Sequence, residues 1–94
     1  MNTFFVYILR CKDNSYYVGH TDNLEKRLYE HRMKKYDNYT SLRLPVKLMF
    51  YQPFGTRDAA FKAERKIKGW TRIKKEALIQ ENWNLISKLA KKKF

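Results

Sequence analysis

Tyr7 and Tyr17 stand ten residues apart, and Gly19 follows the second tyrosine by two. Arg27 and His31 are spaced i, i+4, and Glu64 lies far downstream amid Lys62, Arg65 and Lys66. Tyr7 and Tyr17 would lie on adjacent strands of a hairpin, with Gly19 on the same face as Tyr17, because side chains alternate along a strand. A glycine at that position omits a side chain and lets a phosphate or a backbone approach closely. At their spacing, Arg27 and His31 share one face of a helix. Phosphodiester hydrolysis uses this division of labour: a carboxylate holds a divalent metal on phosphate oxygens, a guanidinium steadies developing charge, and a base activates water. Each position also has an ordinary structural reading. Strand tyrosines pack with the hydroxyl at the rim, and Arg27 has Asp22, Glu25 and Glu30 nearby as ion-pair partners. His31 beside leucines is a packing residue on that reading, and Glu64 is the i, i+4 partner of Lys68.

Other chemistries lack their parts. One cysteine and two histidines give no zinc-ligand spacing. No glycine-rich loop precedes a helix in a nucleotide-binding pattern, and no serine sits in a nucleophile elbow.

The elements that must position these residues can be read from hydrophobic pattern and turn chemistry. Phe4 to Arg10 (FFVYILR) is an apolar, aromatic and β-branched run, expected as a strand buried on both faces. Lys12-Asp13-Asn14-Ser15 is a turn, and Tyr16 to Gly19 resumes as the second strand of an antiparallel hairpin. Thr21-Asp22-Asn23 supplies N-cap candidates, with Asp22 and Glu25 at capping-box spacing, for a helix expected to run to about Lys35. Tyr36 to Leu44 has no period and is expected as a loop. Val46 to Gln52 reads as a third strand, ended by Pro53, Phe54 and Gly55. Thr56 or Asp58 caps a helix to about Lys68, with Gly69 as its C′ residue. Thr71 opens a short helix, and a last basic helix over about 82–93 carries Trp83, Leu85, Ile86 and Leu89. The expected order is β-β-α-β-α-α-α, a mixed α/β fold in one domain spanning 1–94.

Charge narrows the partner. Twenty-one Lys plus Arg against nine Asp plus Glu give a net +12. Residues 62–94 carry eleven basic and three acidic side chains, so the excess is concentrated there. A field of this sign attracts polyanions, nucleic acid before anionic membrane. No apolar window is long enough to span a bilayer. The N-terminus has no basic region ahead of its apolar run and no small-residue cleavage site. The single Cys11 fits a reducing compartment, so the expected location is cytoplasmic.

Phe5-Val6-Tyr7, then Tyr17-Val18-Gly19, then Arg27, His31 and Glu64 in that order resemble the GIY-YIG nuclease superfamily. The likeness continues through YILRCKDNSYYVGHTDNLEKRLYEH, RLPVKLMFYQ and AAFKAERKIKGWTRIKKEALI, about residues 4–79. It is similar to the small stand-alone GIY-YIG proteins of bacteria and, more distantly, to the N-terminal endonuclease domain of excinuclease C. The resemblance implies a three-stranded antiparallel sheet flanked by helices. It also implies a DNA endonuclease that cuts one strand per site with one Mg²⁺ or Mn²⁺. Carried onto this chain, it makes Glu64 the sole protein ligand of the metal and Arg27 the stabiliser of the developing charge. Tyr17 or Tyr7 would act as, or position, the general base, assisted by His31. A tyrosine has an ordinary pKa of about 10, so that role needs the metal or Arg27 close by.

The sequence departs from the pattern in three places. Phe5 replaces the first motif's glycine. His20 stands where other members have Lys or a small polar residue, and is placed to approach a phosphate. Asn82 and Asn84 lie eighteen and twenty residues beyond Glu64, out of alignment with the asparagine of several relatives. Superfamily nucleases usually carry a separate DNA-binding domain. This chain is therefore expected to grip its target with Arg10, Arg43, Lys62, Arg65, Lys68, Arg72, Lys74 and Lys75. Trp70 beside them would stack on an unpaired base or cap the core. The expected partner is DNA, whether branched, damaged or single-stranded. The alternative is a non-catalytic DNA- or RNA-binding module of the same fold.

Overall fold

A strand with no charged side chain between Phe4 and Leu9 needs cover on both faces. In the computed structural model, which describes residues 3–33 and 43–81, this run forms β1 (Phe4–Arg10). It is followed by β2 (Tyr16–Thr21), α1 (Leu24–Arg32), β3 (Lys47–Phe54), α2 (Arg57–Lys68) and α3 (Arg72–Ile79). The sheet is antiparallel in the order β2–β1–β3, so β1 is central, and Val6, Tyr7, Ile8 and Leu9 are all fully buried. The expected α/β class, with three antiparallel strands flanked by helices, is the observed one.

Alternation along β1 divides its side chains between two cores. Val6 and Ile8 meet Val18, Ile67 and Leu78 on the face covered by α2 and α3. Tyr7, Leu9 and Cys11 meet Tyr17, Leu24, Leu28 and Leu48 on the face covered by α1. Burial of each aliphatic side chain here contributes roughly 1.5–3 kcal/mol. β3 joins both cores through a bulge. Ile8 lies opposite Phe50 but Leu9 lies opposite Leu48, so Met49 is extra. Phe50 therefore reaches the first core and Leu48 the second.

Several boundaries differ from the sequence reading, each for a local reason. β2 continues through His20 to Thr21 because Val6 and Phe5 offer ladder partners. β3 runs through Pro53 instead of ending there. As an edge strand it tolerates a residue without an N–H. Asn23, not Asp22, caps α1 by accepting the Lys26 N–H at 3.1 Å. Asp22 is instead 3.3 Å from Arg57, so the expected capping box is absent. α1 stops at Arg32, short of the expected Lys35. Thr56 caps α2 and Thr71 caps α3, both through the side-chain oxygen. Gly69 ends α2 in a right-handed conformation (φ −79°), so no left-handed C′ residue is needed there. In the hairpin turn Asn14 adopts φ 67°, a region asparagine enters readily. Most of the expected 36–44 loop and the whole of the expected 82–93 helix lie outside the described residues.

Candidate functional site

The hairpin and α1 bring one cluster together. Gly19 lies directly opposite Tyr7 in the β1–β2 ladder, and Tyr17 is on the same face. Tyr7 extends across the glycine: a Cβ added at residue 19 would stand 2.6 Å from Tyr7 Oη. The space left by Gly19 is therefore taken by the chain's own tyrosine and not held for a phosphate. Tyr7 Oη is 3.0 Å from His31 Nε2, which reaches the sheet from the last turn of α1. The Tyr17 ring completes the group, with centroids 6.3 Å from Tyr7 and 5.2 Å from His31.

Burial assigns unequal accessibility within this cluster. Tyr7 is 0% and His31 1% exposed, whereas Tyr17 is half-buried and reaches the surface. Burial, and then the Arg27 charge, hold the His31 imidazole below its ordinary pKa, with Glu30 opposing weakly. At neutral pH that ring is uncharged. With its proton on Nδ1, Nε2 accepts from the Tyr7 hydroxyl. Arg27, one turn before His31, is half-buried and lies 3.9 Å from Glu30.

Glu64 reaches β2 from the opposite face. It sits on the inner side of α2 with its side chain 11% exposed. His20 Nδ1 is 2.8 Å from Glu64 Oε1, and Lys68 Nζ is 3.3 Å from Oε2. The His20 ring is also set edge-on to Phe61, with centroids 5.5 Å apart. The sequence placed His20 near a phosphate and missed its contact with Glu64, 44 residues away. The pleat held the available signal: residue 20 points away from the face of residues 17 and 19, hence toward α2. The two halves of the candidate set thus meet strand β2 from its two sides. Tyr7, Tyr17, Gly19 and His31 form one half, while Glu64 and His20 form the other.

Among the described residues no group of three or more His, Cys, Asp or Glu side chains could cage a metal. The donor set is one carboxylate with a neighbouring imidazole. It suits Mg²⁺, or the similarly hard Mn²⁺, which keeps most of its shell as water and phosphate oxygen. Lys68 would have to give way at Oε2.

The expected basic grip is unevenly displayed. Lys62 and Arg65 are exposed on α2, the former 3.0 Å from Asp58 and the latter over the Phe61 ring. Arg43 donates to Asp13, and Arg72 donates to the Asn14 carbonyl, so both brace the hairpin turn. Arg10 is half-buried at the end of β1. Lys74 departs from the expected surface. It is 8% exposed, with Nζ 4.3 Å above the Trp70 ring. That contact covers one face of Trp70, which also packs against the core. Asn82 and Asn84 are outside the described residues.

The model of the GIY-YIG catalytic domain matches residues 3–77 of this chain. The chain is 45% identical over 83 residues to the UPF0213 protein YazA of Bacillus subtilis, covering 88% of this chain and 84% of that protein. It is 41% identical over 85 residues to a UPF0213 protein of Streptococcus pneumoniae, covering 88% and 86%. Among solved structures, protein EF2693 of E. faecalis aligns with a TM-score of 0.61 at 36% identity, covering 90% of each chain. The UPF0213 protein BH0048 of Bacillus halodurans aligns with a TM-score of 0.55 at 36% identity, covering 83% of each.

Proposed function

The chain belongs to the GIY-YIG catalytic domain family, and from that membership we propose that it is a metal-dependent endonuclease acting on DNA, one strand per site. The observation that supports this reading is the packing of Tyr7, Tyr17 and His31 around Gly19. It pairs a surface tyrosine with a buried tyrosine whose hydroxyl faces an uncharged imidazole.

In this proposal Glu64 holds one Mg²⁺ or Mn²⁺, which when bound supplies charge neutralisation on the phosphate oxygens. Tyr17, the accessible member, contacts the attacking water and orients it, or, once ionised to the phenolate, takes its proton. Tyr7 and His31 act behind it: they fix the Tyr17 ring and form a buried acceptor pair that no solvent reaches. Arg27, on the α1 face, stabilises the charge that develops on the phosphate. His20 fixes Glu64 Oε1, leaving the carboxylate's other oxygen for exchange between Lys68 and the metal.

The engagement of both Glu64 oxygens by His20 and Lys68 favours a second reading. On that reading the fold binds nucleic acid without turnover. A cleavage assay separates the two, using labelled single-stranded, duplex, flap and junction DNA with Mg²⁺ or Mn²⁺. Glu64→Gln and Tyr17→Phe proteins of verified fold run in parallel. The endonuclease reading expects metal-dependent nicking that both substitutions abolish. Cleavage that persists in Glu64→Gln would remove Glu64 from the mechanism. Salt-sensitive binding without any cleavage would favour the binding module.

A further inference from the structure

An open groove of about 380 Å³ is lined by Tyr16, Tyr17, Val18, Lys68 and Lys75. Tyr17 and Val18 point to opposite faces of the sheet, so a space touching both lies along the outer edge of β2. Among the described residues β2 pairs only with β1, which leaves that edge open. The groove also joins the two halves of the candidate site. It touches the accessible tyrosine on one side and, on the other, the lysine that pairs with Glu64.

The cations around this groove are not equivalent. Lys68 lies 3.3 Å from Glu64, and Arg72 lies 3.6 Å from Glu76 while stacking 4.4 Å above the Tyr16 ring. Lys75, on the first turn of α3, is half-buried, and among the described residues no carboxylate lies within ion-pair distance of it. Burial, then the neighbouring Arg72 charge, lower its pKa from the ordinary lysine value. A lysine normally keeps its stem on the protein and its ammonium in water. One that is partly desolvated beside a like charge carries an electrostatic cost that an anion in the groove would relieve.

We propose that the groove along the outer edge of β2 seats the sugar–phosphate backbone of a nucleic-acid strand, with one phosphate held by Lys75. The naming of that anion rests on the nuclease reading. The groove's shape and its half-buried Lys75 do not. A backbone seated there runs past Tyr17, and a phosphate beyond Lys75 comes within reach of the Glu64–Lys68 pair. Lys75 thereby becomes a register point that sets which phosphodiester faces the tyrosine.

The test is fluorescence anisotropy in EDTA, with 5′-labelled oligodeoxythymidylate and oligouridylate of equal length titrated across a salt series. The proteins are the wild type, Lys75→Gln, Lys75→Arg and Lys47→Gln, the last altering an exposed lysine on the opposite edge strand. Lys75→Gln is expected to weaken both probes by about fivefold and to reduce the salt slope by about 0.7. Lys75→Arg restores most of the affinity, and Lys47→Gln stays within about twofold of wild type. Equal losses for Lys75→Gln and Lys47→Gln would mean that only the net charge matters, and the groove assignment would be overturned. A loss confined to one probe would equally overturn a seat that reads the backbone. Because no metal is present, this result is independent of turnover. A wild type that cuts nothing while Lys75→Gln loses binding would retire the nuclease reading and leave the groove standing.

Discussion

Replacing Gly19 with alanine tests the packing at the centre of the candidate site. A methyl at this position would stand 2.6 Å from Tyr7 Oη, 2.7 Å from Tyr7 Cζ and 3.2 Å from Tyr17 Cε1. The backbone at Gly19 is not in the left-handed region, so alanine itself is unstrained there and the whole cost is contact. Tyr7 has no room to yield. Its ring is fully buried, and its hydroxyl is 3.0 Å from His31. Forcing a methyl group into such a site costs about 1–3 kcal/mol. Pulling the buried hydroxyl away from its partner adds about 1–3 kcal/mol. A combined loss of about 3 kcal/mol lowers the melting temperature of a domain this size by roughly 12–24 °C. Gly55→Ala is the matched control, since a Cβ there meets nothing within 4 Å. Its effect should stay within about 0.5 kcal/mol. Thermal melts followed by circular dichroism compare the two. A Gly19→Ala protein that melts within a few degrees of Gly55→Ala would refute the placement of Tyr7 over the glycine.

His31 gives a signed pH dependence. Its folded pKa lies below the ordinary value through burial and Arg27, with Glu30 opposing and the Tyr7 hydroxyl and Tyr17 ring beside it. The unfolded chain therefore takes up the proton first as pH falls. The stability contributed is complete above about pH 6.5, declines down to the folded pKa, and is constant below it. Urea midpoints of wild type and His31→Gln should diverge above that window and converge through it. Parallel curves would show that His31 is not buried in its neutral form. For α1, Asn23→Ala should cost about 1 kcal/mol as a lost N-cap, while Asp22→Ala, in an exposed pair with Arg57, should cost at most a few tenths. The reverse order in chemical denaturation would reinstate Asp22 as the cap. Lys74→Ala should destabilise by about 1–2 kcal/mol through lost stem packing and the Trp70 contact, against near zero for exposed Lys62→Ala. Equal melting temperatures would place Lys74 on the surface.

What could be read from the sequence was whatever depended on local pattern. The unbroken apolar run of β1 fixes its central place in the sheet. Thr56 and Thr71 announce helix starts because a side-chain oxygen three residues before an open N–H is a local geometry. Arg27 and His31 share a helix face by spacing alone. Contacts that depend on where the strands twist and how α2 lies across β2 were not legible. Glu64 meets His20, and Tyr7 fills the space above Gly19, only after the tertiary structure has formed. The choice of Asn23 over Asp22 is similar, since both are good caps. The ion pair of Asp22 with Arg57, 35 residues on, goes with the cap falling to Asn23. Lys74 reads as one of a basic cluster, yet α3 turns it inward against Trp70.

The bulge at Met49 also bears on how this strand changes through evolution. A regular strand has two-residue phase, so Leu48 and Phe50 would face the same way, yet here they serve opposite cores. Met49 acts as a half-period phase shifter, and it reconciles one β1 with two differently built hydrophobic layers. Deleting it would restore regular pairing and leave Leu48 opposite Leu9 and Phe50 opposite Ile8, whereas straightening the strand with Met49 retained would turn Leu48 onto the face of Phe50 and out of the second core. In related sequences without the bulge, the residues that take the places of Leu48 and Phe50 should therefore be adjacent in the chain. A single-residue insertion or deletion elsewhere in β3 would be tolerated only with a second, compensating one.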